Sequence, residues 1–233
     1  MPIRVKVCCI ASPDEARLAW RVGADVLGLV SAMPSGPGPI DEELIGEIVA
    51  TVPPGVTTML LTCRTDGAGI VAQLRRTRAA AVQLVDAVPA ATYKIVRDVA
   101  PSVRLVQVVH VTDAGALDEA LAVAPQVDAL LLDSGNPSLA VKELGGTGRV
   151  HDWRVSARIA AASPVPVWLA GGLHAGNVAE AIRFVRPFGV DVCSGVRSAG
   201  RLDEVKLRAF VEAVRDWESG VESREWPVPS AGS

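Results

Sequence analysis

Residues 169–197 read LAGGLHAGNVAEAIRFVRPFGVDVCSGVR. Two short apolar runs each end in a glycine-bearing turn, Gly171-Gly172 after the first and Ser194-Gly195 after the second, with an amphipathic helical pattern between them. Glycine lets the main chain approach an anion closely, and a helix N-terminus beyond the turn adds partial positive charge. A lone GG or SG is an ordinary strand-to-helix turn. Two such turns on consecutive βα units match loops seven and eight of a (β/α)8 barrel, a common phosphate site. The fold therefore turns on whether the whole chain counts to eight.

Working outward, the spacing predicts strands over 3–10, 26–30, 57–62, 81–85, 104–109, 129–132, 167–170 and 189–193. Helices are expected over about 12–22, 41–50, 67–76, 89–100, 114–124, 153–162, 176–185 and 203–217. Ser12-Pro13-Asp14-Glu15 is a capping box with proline at the first helical position, and Gly23 stops that helix. Asp152 caps the sixth. Two irregular loops, 31–40 and 134–150, are long enough to touch a ligand, and the second contains Gly145-Gly146-Thr147-Gly148. The expectation is an α/β fold, a single-domain (β/α)8 TIM barrel over 1–217, with 218–233 as a flexible C-terminal tail.

Size and composition agree with that reading. The 233 residues fit one barrel; almost half are apolar, and aromatics are only 4%, which suits buried parallel strands under Ala-rich helices. A net charge of −3 advertises neither a nucleic-acid nor a membrane surface. The opening MPIRVKVCCIAS lacks a signal-peptide pattern and no run approaches a membrane span, so a cytoplasmic location is expected. Cys8, Cys9, Cys63 and Cys193 show no metal-site spacing, and a reducing compartment would keep them as thiols. Barrels of this size occur as monomers and homodimers, and the sequence does not choose.

Chemistry in such a barrel sits at the C-terminal ends of the strands. Those ends carry Cys8 or Cys9, Cys63-Arg64, Val85-Asp86, His110, Asp133, Gly171-Gly172 and Ser194-Gly195. A strand cysteine is often only a small buried hydrophobe, and an aspartate after an apolar run often only caps a turn. Side chains alternate along a strand, so Cys8 is expected to face the barrel interior and Cys9 the helices.

Several motifs in order resemble the phosphoribosylanthranilate isomerases. They are Lys6-Val7-Cys8-Cys9, with Cys9 where that family has Gly, then Gly23 to Gly28 (GADVLG), Val82-Gln83-Leu84 and Leu132-Asp133-Ser134. Further on stand Gly145-Gly146-Thr147-Gly148 with Asp152-Trp153, Leu169 to Leu173 with Asn177-Val178, and Gly189 to Val192 with Ser194-Gly195-Val196. The resemblance implies a cofactor- and metal-free Amadori rearrangement of an N-phosphoribosyl arylamine, in tryptophan biosynthesis. It assigns Asp133 as general acid for opening the ribose ring and Cys8 as general base at C2′. Gly171, Gly172, Ser194 and Gly195 would hold the phosphate. Burial at the mouth of an apolar strand would raise the Asp133 pKa, and Lys6 or backbone dipoles would favour a thiolate.

Three departures fall where that family recognises the aryl carboxylate. Gly36-Pro37-Gly38 replaces S-P-R, removing a bidentate arginine; Val85-Asp86 replaces H-G; and Arg197 stands in place of Glu. Arg64, Asp86 and Arg197 are the candidate aglycone contacts. Two other readings stay open: the same chemistry on a different N-phosphoribosyl amine, and a catalytically idle phosphosugar-binding barrel. A Schiff-base lyase is disfavoured because no strand end carries a suitable lysine.

Overall fold

Glycine and proline cut this chain into short apolar runs, and each run becomes a strand. The computed structural model describes residues 2–34, 36–135 and 151–222. Its parallel strands are β1 Arg4–Val7, β2 Val26–Val30, β3 Thr57–Thr62, β4 Ala81–Leu84, β5 Arg104–His110, β6 Ala129–Asp133, β7 Val167–Leu169 and β8 Gly189–Val192. They pair in chain order, and β8 returns to β1 through Arg4↔Gly189 and Val7↔Val192, closing the barrel. The helices are α1 Pro13–Val22, α2 Glu42–Thr51, α3 Gly67–Thr77, α4 Ala90–Val99, α5 Ala116–Val123, α6 Trp153–Ala162, α7 Val178–Val185 and α8 Glu204–Glu222. A small antiparallel hairpin, β9 Arg197–Ser198 and β10 Arg201–Leu202, precedes α8. The expected (β/α)8 barrel is thus what the chain forms.

Alternation along each strand sorts the apolar residues into two cores. Val5, Val7, Leu27, Leu29, Leu60, Leu130, Leu132 and Val190 belong to the layer between sheet and helices. Val26, Val30, Met59, Leu61, Ala81, Val85, Val106, Val108, Leu131 and Trp168 fill the barrel interior. Trp168 plugs it low down, against Gly189 of β8: a Cβ on that glycine would lie 2.5 Å from the indole. That interior floor leaves only the C-terminal mouth open to chemistry.

The caps fall where their residue types place them. Ser12 Oγ accepts from Glu15 N–H, and Gly23, in the left-handed region at φ 119°, ends α1. Asp66 caps α3 and Asp152 caps α6 through side-chain oxygens. Most boundaries move by a residue or two; the larger differences are β1, which ends at Val7 rather than Ile10, and α8, which runs to Glu222, so the first five residues of the stretch assigned to the tail are helical. Ser219 Oγ donates back to the Arg215 carbonyl, and Gly220 within a helix costs only about 1 kcal/mol. Residues 223–233, and the loop with Gly145 to Gly148, lie outside the described residues.

Candidate active site

The last inward-facing residues of the strands line the mouth, and the base and acid candidates are both among them. Cys8 follows β1, and its N–H donates to the Val192 carbonyl at 2.8 Å, which continues the β1–β8 pairing. Asp133 ends β6 in register with His110 of β5, so the two side chains stand side by side. Burial pushes the Asp133 carboxyl up, and the nearby Asp191 adds to this; Ser134 N–H, His110 and Lys6 pull only partly the other way. That shift is in the direction a proton donor needs.

Beneath Cys8 lies a buried charge pair. Lys6 Nζ donates to Asp191 Oδ2 at 2.7 Å, and the lysine is wholly buried. Burial alone would lower the Lys6 pKa, but Asp191, with Cys8 and Cys9 nearby, holds it above the usual lysine range. The cation therefore persists next to the thiol. Burial pushes the Asp191 carboxyl up and Lys6 draws it back. Both Cys8 Sγ and Lys6 Nζ pack over the bare Cα of Gly28 on β2, within 3.1 and 3.2 Å of where a Cβ would be.

Among the described residues, three inward groups carry buried polar atoms without a hydrogen-bond partner: Gln83 Oε1, His110 Nδ1 and Asp191 Oδ1. His110 Nε2–H donates to the Val85 carbonyl at 3.0 Å, which leaves Nδ1 facing away from that bond. Unpartnered polar atoms are costly in an apolar interior and are the mark of a site that expects a polar ligand.

The two glycine turns meet physically. Gly171 and Gly172 have φ of 85° and 63°, which L side chains rarely adopt. A Cβ on Gly195 would fall 2.0 Å from the Leu173 carbonyl, so the turn after β8 seats directly on the turn after β7. Asn177 fixes the latter, accepting from His174 N–H and donating to Gly172 O, at 2.8 and 3.0 Å. His151 backs Gly171: its Nδ1 is 3.0 Å from the glycine's missing Cβ, and its Nε2 is hydrogen-bonded to Ser156 Oγ. Burial lowers the His151 pKa to about 4, so the ring behind the turn is neutral.

Of the departures noted in the sequence, those at Cys9, Gly38 and Arg197 meet in one corner. Cys9 does not alternate with Cys8: it takes φ 62°, turns inward with it, and joins the interior cluster. Its Sγ donates to the Pro37 carbonyl at 3.4 Å. Gly38 has φ 81°, and a Cβ there would fall 2.6 Å from Cys9 Cβ. Cysteine at 9 and the lack of an arginine at 38 are thus two sides of one packing solution.

Arg197 does not reach the mouth as a free cation. Its guanidinium, only 8% exposed, donates to Glu15 and to the Cys8 and Cys9 carbonyls. Burial pushes Glu15 up, but hydrogen bonds from Leu202 N–H, Arg197 and Ala11 N–H leave its carboxyl below the usual range. The guanidinium, expected among the aglycone contacts, is thus engaged by Glu15 and by the main chain after β1. Asp86 accepts from Ala87 N–H at 2.9 Å, while Arg64 is half-exposed and 3.8 Å from Asp66. Sequence reading missed Asp191, Gln83 and His151 as site residues. The signal for Asp191 was a lone charge in the apolar run GVDV, opposite the lone lysine of RVKV.

A closed parallel barrel with acid and thiol at its C-terminal mouth defines a class, the (β/α)8 enzymes that work at that face. Within it the chain belongs to the N-(5'phosphoribosyl)anthranilate (PRA) isomerase family, whose model matches residues 5–213. It is 36% identical over 213 residues to the N-(5'-phosphoribosyl)anthranilate isomerase of Methanocella arvoryzae, covering 91% of this chain and 98% of the relative. It is 38% identical over 226 residues to that of Haloferax volcanii, covering 95% and 97%. The phosphoribosyl anthranilate isomerase structure from Thermotoga maritima superposes with a TM-score of 0.78 at 28% identity, covering 92% of this chain and 99% of that one.

Proposed function

We propose that the barrel isomerises N-(5′-phosphoribosyl)anthranilate by an Amadori rearrangement, with Asp133 as general acid and Cys8 as general base. The observation that supports the reading is the pair itself: a buried carboxyl on β6 whose pKa burial raises, and a thiol beside a persistent lysine cation at the end of β1. Asp133 gives its proton to the ribose ring oxygen, the C1′–O4′ bond breaks, and the nitrogen lone pair forms the Schiff base. Cys8, as thiolate, then removes the C2′ proton, and the electron pair moves toward nitrogen to give the enolamine, which tautomerises to the ketose. Every atom of the substrate is retained, so the chemistry calls for no redox partner.

The phosphate is assigned to the mated turns of Gly171, Gly172, Ser194 and Gly195, where main-chain N–H groups can approach an anion. The aryl carboxylate then falls on the far side of the mouth, toward Arg64 and Asp86. The decisive experiment is turnover of phosphoribosylanthranilate, followed by loss of its fluorescence. Wild type should consume it, and Cys8→Ser and Asp133→Asn should each abolish turnover. Full activity in Asp133→Asn would overturn the mechanism. The closed corner at Cys9 and Gly38 favours a second reading, the same chemistry on a different amine. A wild type that binds ribose 5-phosphate yet leaves phosphoribosylanthranilate unchanged would select it.

A further inference from the structure

Two cysteines that the mechanism leaves unused lie against each other at the seam where the barrel closes. Cys9 follows β1 and Cys193 follows β8, and the last paired residues below them are Val7 and Val192. Because Cys9 turns inward at φ 62°, its Sγ comes to 2.8 Å from Cys193 Sγ, although the residues are 184 apart in sequence. A disulfide has its sulfurs about 2.05 Å apart, so the pair needs to close by only about 0.8 Å. The partners are unequal in access. Cys9 is buried, while Cys193 is half-buried and open to a small oxidant.

Their electrostatics are unequal in the same sense. The hydrogen bond with Cys9, followed by the Arg197 guanidinium, pulls the Cys193 thiol below its ordinary value, and the same hydrogen bond pushes Cys9 up. An accessible thiol in contact with a second, buried thiol is the arrangement of an oxidisable pair.

We propose that Cys9 and Cys193 are a reversible oxidation site, forming a disulfide when the protein meets a peroxide. The Cys193 thiolate attacks one peroxide oxygen: an S–O bond forms, the O–O bond breaks, and the departing hydroxide takes a proton and leaves as water. Cys9 gives up its proton and attacks the Cys193 sulfur of the resulting sulfenic acid. The S–S bond forms, the S–O bond breaks, and a second water leaves with that proton. Two thiols are oxidised and one peroxide is reduced to two waters; a dithiol reverses the step by exchange and is itself oxidised.

The disulfide acts on the site from both sides. Cys9 adjoins the Cys8 base, and Cys193 adjoins Ser194-Gly195, the turn that seats on the Leu173 carbonyl. Drawing the sulfurs together moves these strand ends relative to one another. Shared between the two strand ends, the closure moves each by about 0.4 Å and lowers kcat by about sixfold, since 1 Å is worth about a hundredfold.

The test treats the full-length protein with hydrogen peroxide and reads intact mass, peptide map and turnover. Wild type should lose two hydrogens per chain, give a Cys9–Cys193 crosslinked peptide, and slow, with the rate restored by dithiothreitol. Cys63→Ser should behave as wild type, whereas Cys193→Ser and Cys9→Ala should show no such mass loss. Four thiols still titratable after treatment, a crosslink involving Cys8, or an oxidised form as fast as the reduced one would overturn the proposal. Mass and map report the bond whatever substrate the barrel acts on.

Discussion

Gly28→Ala is a small change aimed at the base. Gly28 faces inward on β2, and an added methyl would lie 3.1 Å from both Cα and Sγ of Cys8 and 3.2 Å from Lys6 Nζ. Carbon contacts settle near about 3.5–4.0 Å, so the neighbours must yield by roughly 0.5 Å. Lys6 is fully buried and tied to Asp191 at 2.7 Å, so the displacement falls on Cys8 and the end of β1. If 1 Å of misplacement costs about a hundredfold, half of that costs about tenfold in kcat, or about 1.4 kcal/mol of barrier. Overpacking should also lower stability by about 1–3 kcal/mol, a fall of roughly 2–12 °C in Tm for a chain of this size. KM should change little, because the methyl is remote from the phosphate turns. Steady-state turnover of phosphoribosylanthranilate with a thermal melt gives both readouts. A variant with lowered Tm and unchanged kcat would refute the assignment of Cys8 as base.

Other perturbations separate roles that the sequence left open. Arg197→Ala should cost about 2–3 kcal/mol, seen by urea unfolding, since it strips the largely buried Glu15 of its cation, while KM stays within about twofold; a tenfold rise in KM at unchanged stability would return Arg197 to the substrate. His151 has a folded pKa of about 4 against about 6.5 unfolded, so its stabilisation is full above the unfolded value and is lost as pH falls through this window. Between pH 7.5 and 5 wild type should therefore lose up to about 2 kcal/mol more than His151→Gln, measured by melts at both pH values. Gly38→Arg alone should destabilise, because its Cβ meets Cys9 at 2.6 Å and φ is 81°, whereas removing the Cys9 side chain with Cys9→Gly should recover part of the loss. Additive effects in unfolding titrations would show that the two positions are not coupled.

Much of the architecture was written locally. Strands β2 and β3 and helix α6 match the spacing residue for residue, because Gly, Pro or a capping Asp brackets each apolar run. What stayed hidden depends on contacts across the chain or on single backbone angles. Simple alternation put Cys9 among the helices, and one left-handed φ reversed it. Arg197 read as a spare cation because its partner Glu15 lies 182 residues away. The acid and the thiol were legible as residue types at strand ends, whereas the lysine cation beneath the thiol needed Asp191, from the opposite end of the chain, to be understood.

The Lys6–Asp191 contact joins the first strand to the last, and this bears on how the protein is made. A nascent chain emerges with Lys6 in a strand meant for the barrel interior, but its counter-charge is not synthesised until β8. Until then the ammonium has reason to stay in water, which keeps β1 from settling into a premature half-barrel. Closure of the seam and the cation below the thiol thus depend on the same last βα unit, which supplies both Asp191 and the turn beginning at Ser194 that rests on Leu173. The same logic makes the two halves of the barrel, expressed as separate chains, incomplete in complementary ways.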